Sequence, residues 1–195
     1  MVIHGGAVVD GGLMAIGAHT GVFGERLVLS EGTVVLVRGV RPCDSEGVLR
    51  FLRRLSLESV YLRFCSGGVD LRAAMLRFTQ AGADTVGIVA CDMSGEIVGH
   101  AEYVRTGDRG RAEVAVVIAD DLQGKGLARA LIGGLAADAS ANRVDEFVAT
   151  VLPDNPAMLV LFRRAFGARI EEDVDAMLCD VSFSTAVGSM QRRAA

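Results

Sequence analysis

The sequence predicts an α+β fold, with a mixed, mostly antiparallel central sheet and helices on both of its faces. Three strand-like segments, at 83–93, 96–106 and 112–120, follow one another with short glycine-containing turns between them. This order is typical of antiparallel hairpins. Segments with apolar residues at helical spacing precede and follow the block. Strands grouped in this way, with amphipathic helices around them, indicate an α+β architecture.

The first half of the chain predicts two strands and three helices. Arg26–Val40 has the pattern of two short strands around a turn. Asp44 or Ser45 can cap the first helix, and Asp70 can cap the third, which is expected to end at Gly82. The predicted apolar faces of the three helices are Val48, Leu52 and Leu55, then Leu57, Tyr61 and Phe64, then Leu71, Met75 and Phe78.

The second half predicts two more helices and the remaining strands. Residues 144–152 have the pattern of a strand, and 168–183 that of one or two terminal strands. Pro156 suits the first position of a helix and Gly167 suits its end. The long helix before them has an apolar face formed by Leu127, Leu131, Ile132, Leu135 and Ala139.

Length and hydropathy predict a single domain without a membrane span. The chain has 195 residues, of which 51% are hydrophobic. Glycine or charged residues nevertheless interrupt each apolar run before the ~18 residues that would cross a bilayer. The N-terminus has no basic start and contains Asp10, unlike a secretion signal. We therefore expect a cytoplasmic protein with an N-terminal arm (1–24), one domain (25–183) and a flexible tail (184–195).

Charge and cysteine usage argue against nucleic-acid and metal binding. The formal net charge is -4 without a block of like charge, so an electrostatic basis for nucleic-acid binding is missing. The sequence contains neither a CxxC motif nor a histidine cluster suited to zinc. Scattered thiols and imidazoles predict buried, reduced cysteines and no metal site: Cys43, Cys65, Cys91, Cys179, His4, His19 and His100.

The segment Asp120–Leu135, DDLQGKGLARALIGGL, connects a strand to the long helix and predicts an anion site. Backbone N–H groups at a helix start face outward, and glycine lets a ligand approach them. Arg129 stands where a dinucleotide fingerprint needs its third glycine, and Ala119 and Gly126 do not fit a P-loop. An ordinary tight turn is the alternative, but it leaves the second glycine and Lys125, the only lysine of the chain, unexplained.

Gln123–Ala128 follows the pattern Q/R-x-x-G-x-G/A and resembles the cofactor loop of the GNAT superfamily of acyl-CoA N-acyltransferases. Upstream, Val37–Phe64 is similar to the front of bacterial Pat-type protein lysine acetyltransferases, with their R-P-x-D and L-S-x-E-S-x-Y-x-R-F motifs. The family's spacing for the helix along the cofactor is matched by Asn155, Met158, Leu161, Phe162 and Gly167. The resemblance implies a GNAT-like fold that uses acetyl-CoA as cosubstrate and no metal.

The resemblance also implies roles around the loop. Backbone groups of the preceding strand would align the pantetheine arm and polarise the thioester, and the loop amides would hold the pyrophosphate. Lys125 and Arg129 would add positive charge, whereas Asp120 and Asp121 are expected to point outward or to cap a helix. The cofactor-binding residues predicted in this way are Val116, Val117, Ile118, Gln123, Gly124, Lys125, Gly126, Leu127, Ala128, Arg129, Asn155 and Phe162.

Acetyl transfer to an amine needs a base, because an alkylammonium with a pKa near about 10.4 is almost fully protonated at neutral pH. Pat-type enzymes use a glutamate at the start of the strand before the loop, and Glu113 matches it. Alternation places Glu113 on a face whose later residues are apolar, so we expect desolvation to raise its pKa. The alternative is a solvated carboxylate paired with Arg111. Glu102 and His100 are reserve candidates on the preceding strand.

Phe162 departs from a pattern that many relatives share, since they carry at its position a tyrosine that protonates the departing thiolate. A thiolate with a reference pKa of about 8.5 can leave without a side-chain acid, or water can serve as the acid. Pat-like proteins often lack this tyrosine as well. We expect Phe162 to pack in the core.

The features together predict an acetyl-CoA-dependent N-acetyltransferase that acts on a lysine side chain of a protein, by direct attack with Glu113 as the general base. Two alternatives remain open. One is an enzyme that acetylates a small amine, such as a polyamine, an amino acid or a drug. The other is a non-catalytic regulatory protein that binds acyl-CoA. The expected partner is the acceptor amine, with no nucleic acid or membrane, and the chain is expected to be a monomer or a homodimer.

Overall fold

The structure, a computed structural model, describes residues 24–80, 82–173, 175 and 177–186. Its helices are α1 (Ser45–Arg54), α2 (Leu57–Phe64), α3 (Leu71–Thr79), α4 (Leu127–Ala141) and α5 (Pro156–Phe166). Its strands are β1 (Glu25–Val28), β2 (Val34–Gly39), β3 (Thr85–Cys91), β4 (Ile97–Arg105), β5 (Arg111–Ile118), β6 (Glu146–Val151), β7 (Arg169–Asp173) and β8 (Leu178–Ser184). The predicted arm up to residue 23 and the tail from residue 187 lie outside the described residues.

The described strands form one sheet in the order β1-β2-β3-β4-β5-β6-β8-β7. Neighbouring strands are antiparallel except for β5 and β6, which run parallel. Strand β7 lies at the edge beyond β8 because the chain returns through a hairpin. The predicted mixed, mostly antiparallel sheet is confirmed. Among the helices in the described part of the chain, none is long and apolar enough to cross a membrane.

Helices cover both faces of the sheet, as predicted. On one face α1 and α3 pack on the sheet through Phe51 and Phe78, against sheet residues such as Val89 and Val117. On the other face α4 and α5 pack on residues such as Phe147. Adjacent strand residues thus serve opposite cores, as the alternation of side chains along a strand requires. All five predicted core positions of α4 are buried, namely Leu127, Leu131, Ile132, Leu135 and Ala139.

The predicted helix ends are partly confirmed. Asp44 is the N-cap residue of α1, but its carboxylate accepts from Arg38 and the Arg41 N–H and makes no capping hydrogen bond to the helix. The Asp70 carboxylate accepts hydrogen bonds from two backbone N–H groups of the first turn of α3. Pro156 begins α5, and Gly167 ends it with a left-handed φ of 64°. The predicted end of α3 at Gly82 is wrong, because the helix stops at Thr79 and Gln80 caps it with a backbone bond to Leu76.

The predicted apolar face of α2 is wrong. Leu57 is 89% exposed and Tyr61 is 41% exposed, whereas Ser59 is buried. The rotation has a polar cause, since the Ser59 hydroxyl donates to the Asp120 carboxylate at 2.6 Å and so turns that side of the helix toward the protein. Only Phe64 of the predicted face packs against the core beneath α1 and α3.

The expectation of buried, reduced thiols is half correct. All four cysteines are free, and Cys91 and Cys179 are buried. Cys43 and Cys65 are exposed, because they lie in the short turn before α1 and at the end of α2.

Candidate active site

The loop before α4 is open to a ligand. Gly124 and Gly126 have φ angles of +73° and +89°, in the left-handed region that favours glycine. Gly126 is also the N-cap of α4, so the first amides of this 15-residue helix have no partner within the helix. A Cβ atom placed on either glycine would meet nothing within 4 Å. The two glycines therefore allow the left-handed backbone conformation and leave room for a ligand to approach the loop. They are not needed for tight packing within the chain.

This loop forms one end of a cleft of about 480 Å³, whose opposite wall is α5. The residues from α2, including Ser59 and Arg63, complete the lining. Ten of the predicted cofactor-binding residues meet in this cleft: Val116, Val117, Ile118, Gln123, Gly124, Gly126, Leu127, Ala128, Arg129 and Asn155. Asn155 also caps α5, where its Oδ1 accepts from the Met158 N–H at 3.2 Å.

Lys125 is outside this lining, and its side chain turns away. Its Nζ lies 2.8 Å from the Glu31 carboxylate in the turn between β1 and β2. Its carbonyl oxygen accepts from the Ser30 N–H and hydroxyl, each at 3.4 Å. The predicted contribution of its charge to a pyrophosphate site is therefore not what the structure shows. The ion pair instead attaches the loop to the neighbouring turn.

Asp120 and Gln123 fix the loop from its other side. The Asp120 carboxylate accepts from the Ser56 N–H, the Ser56 hydroxyl and the Ser59 hydroxyl, at 2.6–2.9 Å. Gln123 donates from Nε2 to the Ser59 hydroxyl at 3.0 Å and to the Ile118 carbonyl at 3.2 Å. Asp120 thus holds the start of α2, which confirms the expectation that it would cap a helix.

The cleft continues into a fork between β5 and β6. These strands pair at only three positions, from Arg111 with Glu146 to Glu113 with Val148, and then separate. The space between them is a cavity of about 240 Å³, called here the fork cavity. It shares with the cleft the lining residues Leu62, Arg63, Val116, Asn155 and Met158. Beyond Glu113 the edge of β5 that faces β6 has no strand partner among the described residues, so its backbone groups can bind an extended ligand.

Glu113 lies at the last paired position of the fork, where it lines the cavity. Its residue is exposed, so the expected desolvation by apolar neighbours is wrong. The alternative pairing with Arg111 is also not seen, because Arg111 lies 2.8 Å from Glu146 and 3.4 Å from Asp108. An exposed carboxylate without that partner is accessible to an acceptor amine.

A polar groove of about 540 Å³ begins at Glu113 and crosses the helix-free part of the sheet formed by β5, β6, β8 and β7. Its charged lining has five acidic and two basic side chains: Asp108, Glu113, Glu146, Glu171, Asp180, Arg111 and Arg169. The arginines are paired within the groove, Arg111 as described and Arg169 with Glu171 at 2.6 Å. The groove therefore has a surplus of negative charge.

A buried ion pair lies beneath the fork cavity, and sequence analysis missed it. Arg63 Nη2 lies 2.8 Å from Glu102 Oε1, with each side chain 9% exposed. The Arg63 guanidinium is 5.1 Å from the Phe64 ring centroid and 5.2 Å from that of Phe78. Burial raises the pKa of Glu102, against the Arg63 charge, which lowers it. In the sequence, Arg63 is marked only by the R-F dipeptide of the Pat-like motif, and this dipeptide does not indicate Glu102 as its partner.

Both reserve candidates for the base are structural. His100 is completely buried and stacks on Phe78 with 3.9 Å between ring centroids. Burial, followed by the charges of Arg63 and Arg77, holds the pKa of His100 well below its usual value. Neither His100 nor Glu102 lines the cleft, the fork cavity or the groove.

Phe162 lines the fork cavity and is also part of the core, at 2% exposure. Its ring centroid lies 5.4 Å from that of Phe183 and 6.3 Å from that of Phe166. It offers an apolar wall and no proton. Within the described part of the chain, no group of three or more metal-ligating side chains has a suitable arrangement for an ion.

Comparisons with known proteins agree with this arrangement. Residues 53–168 match the family described as "Acetyltransferase (GNAT) family". Over 148 residues the chain is 33% identical to the acetyltransferase Pat of Mycolicibacterium smegmatis, an alignment that covers 74% of this chain and 44% of Pat. The chain thus spans less than half the length of that relative. It is 31% identical over 148 residues to the acetyltransferase PA5475 of Pseudomonas aeruginosa, covering 72% of this chain and 80% of that protein.

Among solved structures, the GNAT domain of S. lividans PAT superposes with a TM-score of 0.74 at 30% identity. The match covers 82% of this chain and 96% of that domain. The family match includes β5, the glycine loop and α5, the elements that form the cleft and the fork cavity. The chain therefore belongs to the GNAT acetyltransferase family.

Proposed function

We propose that the chain transfers the acetyl group of acetyl-CoA to a lysine side chain of a protein. The observation that supports this most directly is the position of Glu113. It lies where the fork cavity, which shares its lining with the loop cleft, meets the open groove. A thioester and an amine can therefore reach one carboxylate from two different sides.

The cleft residues supply the binding groups for the cosubstrate. The amides from Gly124 to Ala128 are the donors for the pyrophosphate, with the dipole of α4 behind them, whereas the Gln123 N–H already donates to the Asp120 carbonyl. Arg129, which is exposed on the cleft, adds a positive charge. The free edge of β5 at Val116–Ile118 offers backbone groups to the pantetheine arm, except for the Ile118 carbonyl, which accepts from Gln123 Nε2. Asn155 and Phe162 form part of the opposite wall.

The reaction itself needs one proton acceptor. Glu113 takes a proton from the acceptor ammonium, directly or through water, and the neutral amine nitrogen forms a bond to the thioester carbonyl carbon. Backbone N–H groups of β5 stabilise the negative charge that develops on the thioester carbonyl oxygen during the attack. The C–S bond then breaks, and the second proton of the attacking nitrogen passes through water to the departing CoA thiolate, since the apolar Phe162 supplies no proton.

Two features favour a protein acceptor over a small amine. The front of the chain resembles Pat-type protein lysine acetyltransferases, and relatives named Pat and PAT are among the matches. The groove is also open along an exposed sheet face and carries surplus negative charge, so a basic protein surface can lie on it.

The test compares acceptors with one preparation of the enzyme. Protein lysines in a deacetylated cell extract, spermidine and free amino acids are each incubated with labelled acetyl-CoA. Label in proteins at lysine is the expected result. Label in a small amine alone would show that the acceptor is a small molecule and not a protein lysine. Stoichiometric binding of acetyl-CoA without transfer to any acceptor would identify a non-catalytic acyl-CoA-binding protein.

The cofactor site can be tested at Gly126. A Gly126→Ala change places a methyl group in the open cleft and strains a φ of +89°. We expect the affinity for acetyl-CoA to fall about tenfold, which corresponds to about 1.4 kcal/mol. Calorimetric titration measures it.

Gly95→Ala is the matched control. Gly95 has a φ of +88° and equally open surroundings, but it lies in the turn between β3 and β4, away from the cleft. Both variants carry the same backbone strain, and only Gly126→Ala should weaken binding. An equal loss of affinity in both variants would contradict the placement of the cosubstrate at this loop.

A further inference from the structure

Arg77 is a charged residue beside Glu113 that the proposed reaction does not use. It lies in the last turn of α3, is exposed, and lines the fork cavity together with Glu113. The other arginine of that cavity, Arg63, is neutralised by Glu102. Arg77 has no carboxylate in ion-pair contact among the residues that the structure describes.

Arg63 and Arg77 line the same fork cavity. Burial is the main cause that lowers the pKa of Arg63, and the charge of Arg77 lowers it further, whereas Glu102 raises it. Glu102 pairs with Arg63, whereas Glu113, the carboxylate that shares the cavity with Arg77, makes no ion-pair contact with Arg77 in the described part of the chain. A carboxylate from outside the chain would remove the repulsion, and a guanidinium is suited to bind it with two parallel hydrogen bonds.

The charges on the two sides of Glu113 differ in sign. On the α3 side stands Arg77, and on the opposite side the groove extends over β8 and β7 with Asp180 and Glu171. An acceptor surface fits this arrangement when a carboxylate lies on the α3 side of its lysine. Complementary charge at the edge of an interface selects partners and orients them.

We propose that Arg77 binds a carboxylate of the acceptor protein, so that the preferred acceptor lysine has an acidic residue beside it. Arg77 is then a specificity-determining residue, whereas Glu113 takes the proton. This inference rests on the proposed function, because it assumes that the acceptor is a protein lysine.

The test uses three peptides with one lysine and a blocked N-terminus. Only one neighbour of the lysine varies, Glu in the first peptide, Gln in the second and Arg in the third, and the other neighbour is Ala. The set is made with the variable residue before the lysine and again after it, and the set with the larger spread in wild-type kcat/KM is used. Wild-type enzyme should acetylate them in that order of kcat/KM, with about 1.4- to fivefold between steps, the range of a solvent-exposed ion pair. Arg77→Gln should remove most of the difference, and Arg77→Glu should reverse the order.

Arg72→Glu is the control with the same change of charge. Arg72 is exposed on the same helix but lines none of the three cavities, so its variant should keep the wild-type order. The KM for acetyl-CoA should stay the same in all variants, and thermal melting verifies that each is folded. Arg77→Gln repeats the test without placing an acid at the helix C-terminus.

The outcomes separate the two proposals. Acetylation of all three peptides with the same order in wild type and Arg77→Glu would overturn the role of Arg77 and leave the proposed function intact. Acetylation of spermidine without any of the peptides would overturn the proposed function, and the role of Arg77 with it.

Discussion

The Glu113→Gln variant is expected to lose acetyl transfer by about 10²- to 10⁴-fold in kcat, the usual contribution of a positioned general base. Glutamine keeps the size of the side chain but does not accept a proton at neutral pH. Since Glu113 lines the fork cavity and the groove but not the loop cleft, the affinity for acetyl-CoA should stay within about twofold, an energy difference of about 0.4 kcal/mol. Steady-state kinetics and calorimetric titration measure the two quantities.

Glu171→Gln provides the comparison for this variant. Glu171 lines the same groove from β7, and its side chain is 63% exposed. The variant has the same chemical change on the same face of the sheet, so it should keep kcat near the wild-type value. If Glu113→Gln also keeps full turnover, Glu113 is not the base.

Arg63→Ala is expected to lower the free energy of unfolding by about 3–5 kcal/mol, because removing one partner of a buried ion pair leaves the other charge uncompensated. Glu102 would keep its carboxylate within a site where its side chain is only 9% exposed. The variant also removes a guanidinium that packs on Phe64 and Phe78. Urea unfolding at neutral pH measures the loss. A change below about 1 kcal/mol would match an exposed pair and contradict this account.

The loss should depend on pH in a defined direction. Burial raises the pKa of Glu102 above its usual value of 4.5, so the folded protein binds a proton there more readily than the unfolded chain does. Lowering the pH through the raised pKa therefore adds stability to the folded state at this group. Without Arg63 the pKa rises further, and Arg63→Ala should lose less stability at pH 5 than at pH 8.

The double variant Arg63→Met, Glu102→Leu tests the cause. Apolar residues of similar volume leave no charge inside, and such replacements are often neutral or stabilising. The double variant should recover most of the stability lost by Arg63→Ala, and since it lacks Glu102, its own stability should vary less between pH 5 and 8 than that of Arg63→Ala. A loss equal to that of Arg63→Ala would point to packing of the guanidinium rather than to the charge of Glu102.

Local patterns in the sequence were sufficient to predict most of the fold. Side-chain alternation and glycine turns mark the hairpin strands, and helical spacing marks α4, whose apolar positions are all buried. The face of α2 could not be predicted in this way. Its orientation depends on Ser59 and Asp120, which are 61 positions apart, and no local pattern indicates a bond between them.

The same distinction applies to the site. The glycine spacing predicts the cleft, because backbone conformation at Gly124 and Gly126 is a local property. The direction of the Lys125 side chain was missed, since Glu31 is supplied by a hairpin far away in sequence. Alternation predicts the face of the sheet that carries Glu113, but not that helices leave this part of the face open. The family resemblance, and not the periodicity of the strand, indicated Glu113 as the base.

The short pairing of β5 with β6 has a consequence for the dynamics of the domain. Strand pairing at three matched positions, together with the shared core under α4 and α5, joins a five-strand part of the sheet to a three-strand part, on which α5 packs. A molecule lying in the cleft touches the loop on one part and α5 on the other, so it acts as a removable cross-link between them. We expect slower amide hydrogen exchange in β6 and β8 when acetyl-CoA is added, with less change in β2 and β3. The two parts of the sheet would then be held together more firmly when acetyl-CoA is bound in the cleft than when the cleft is empty.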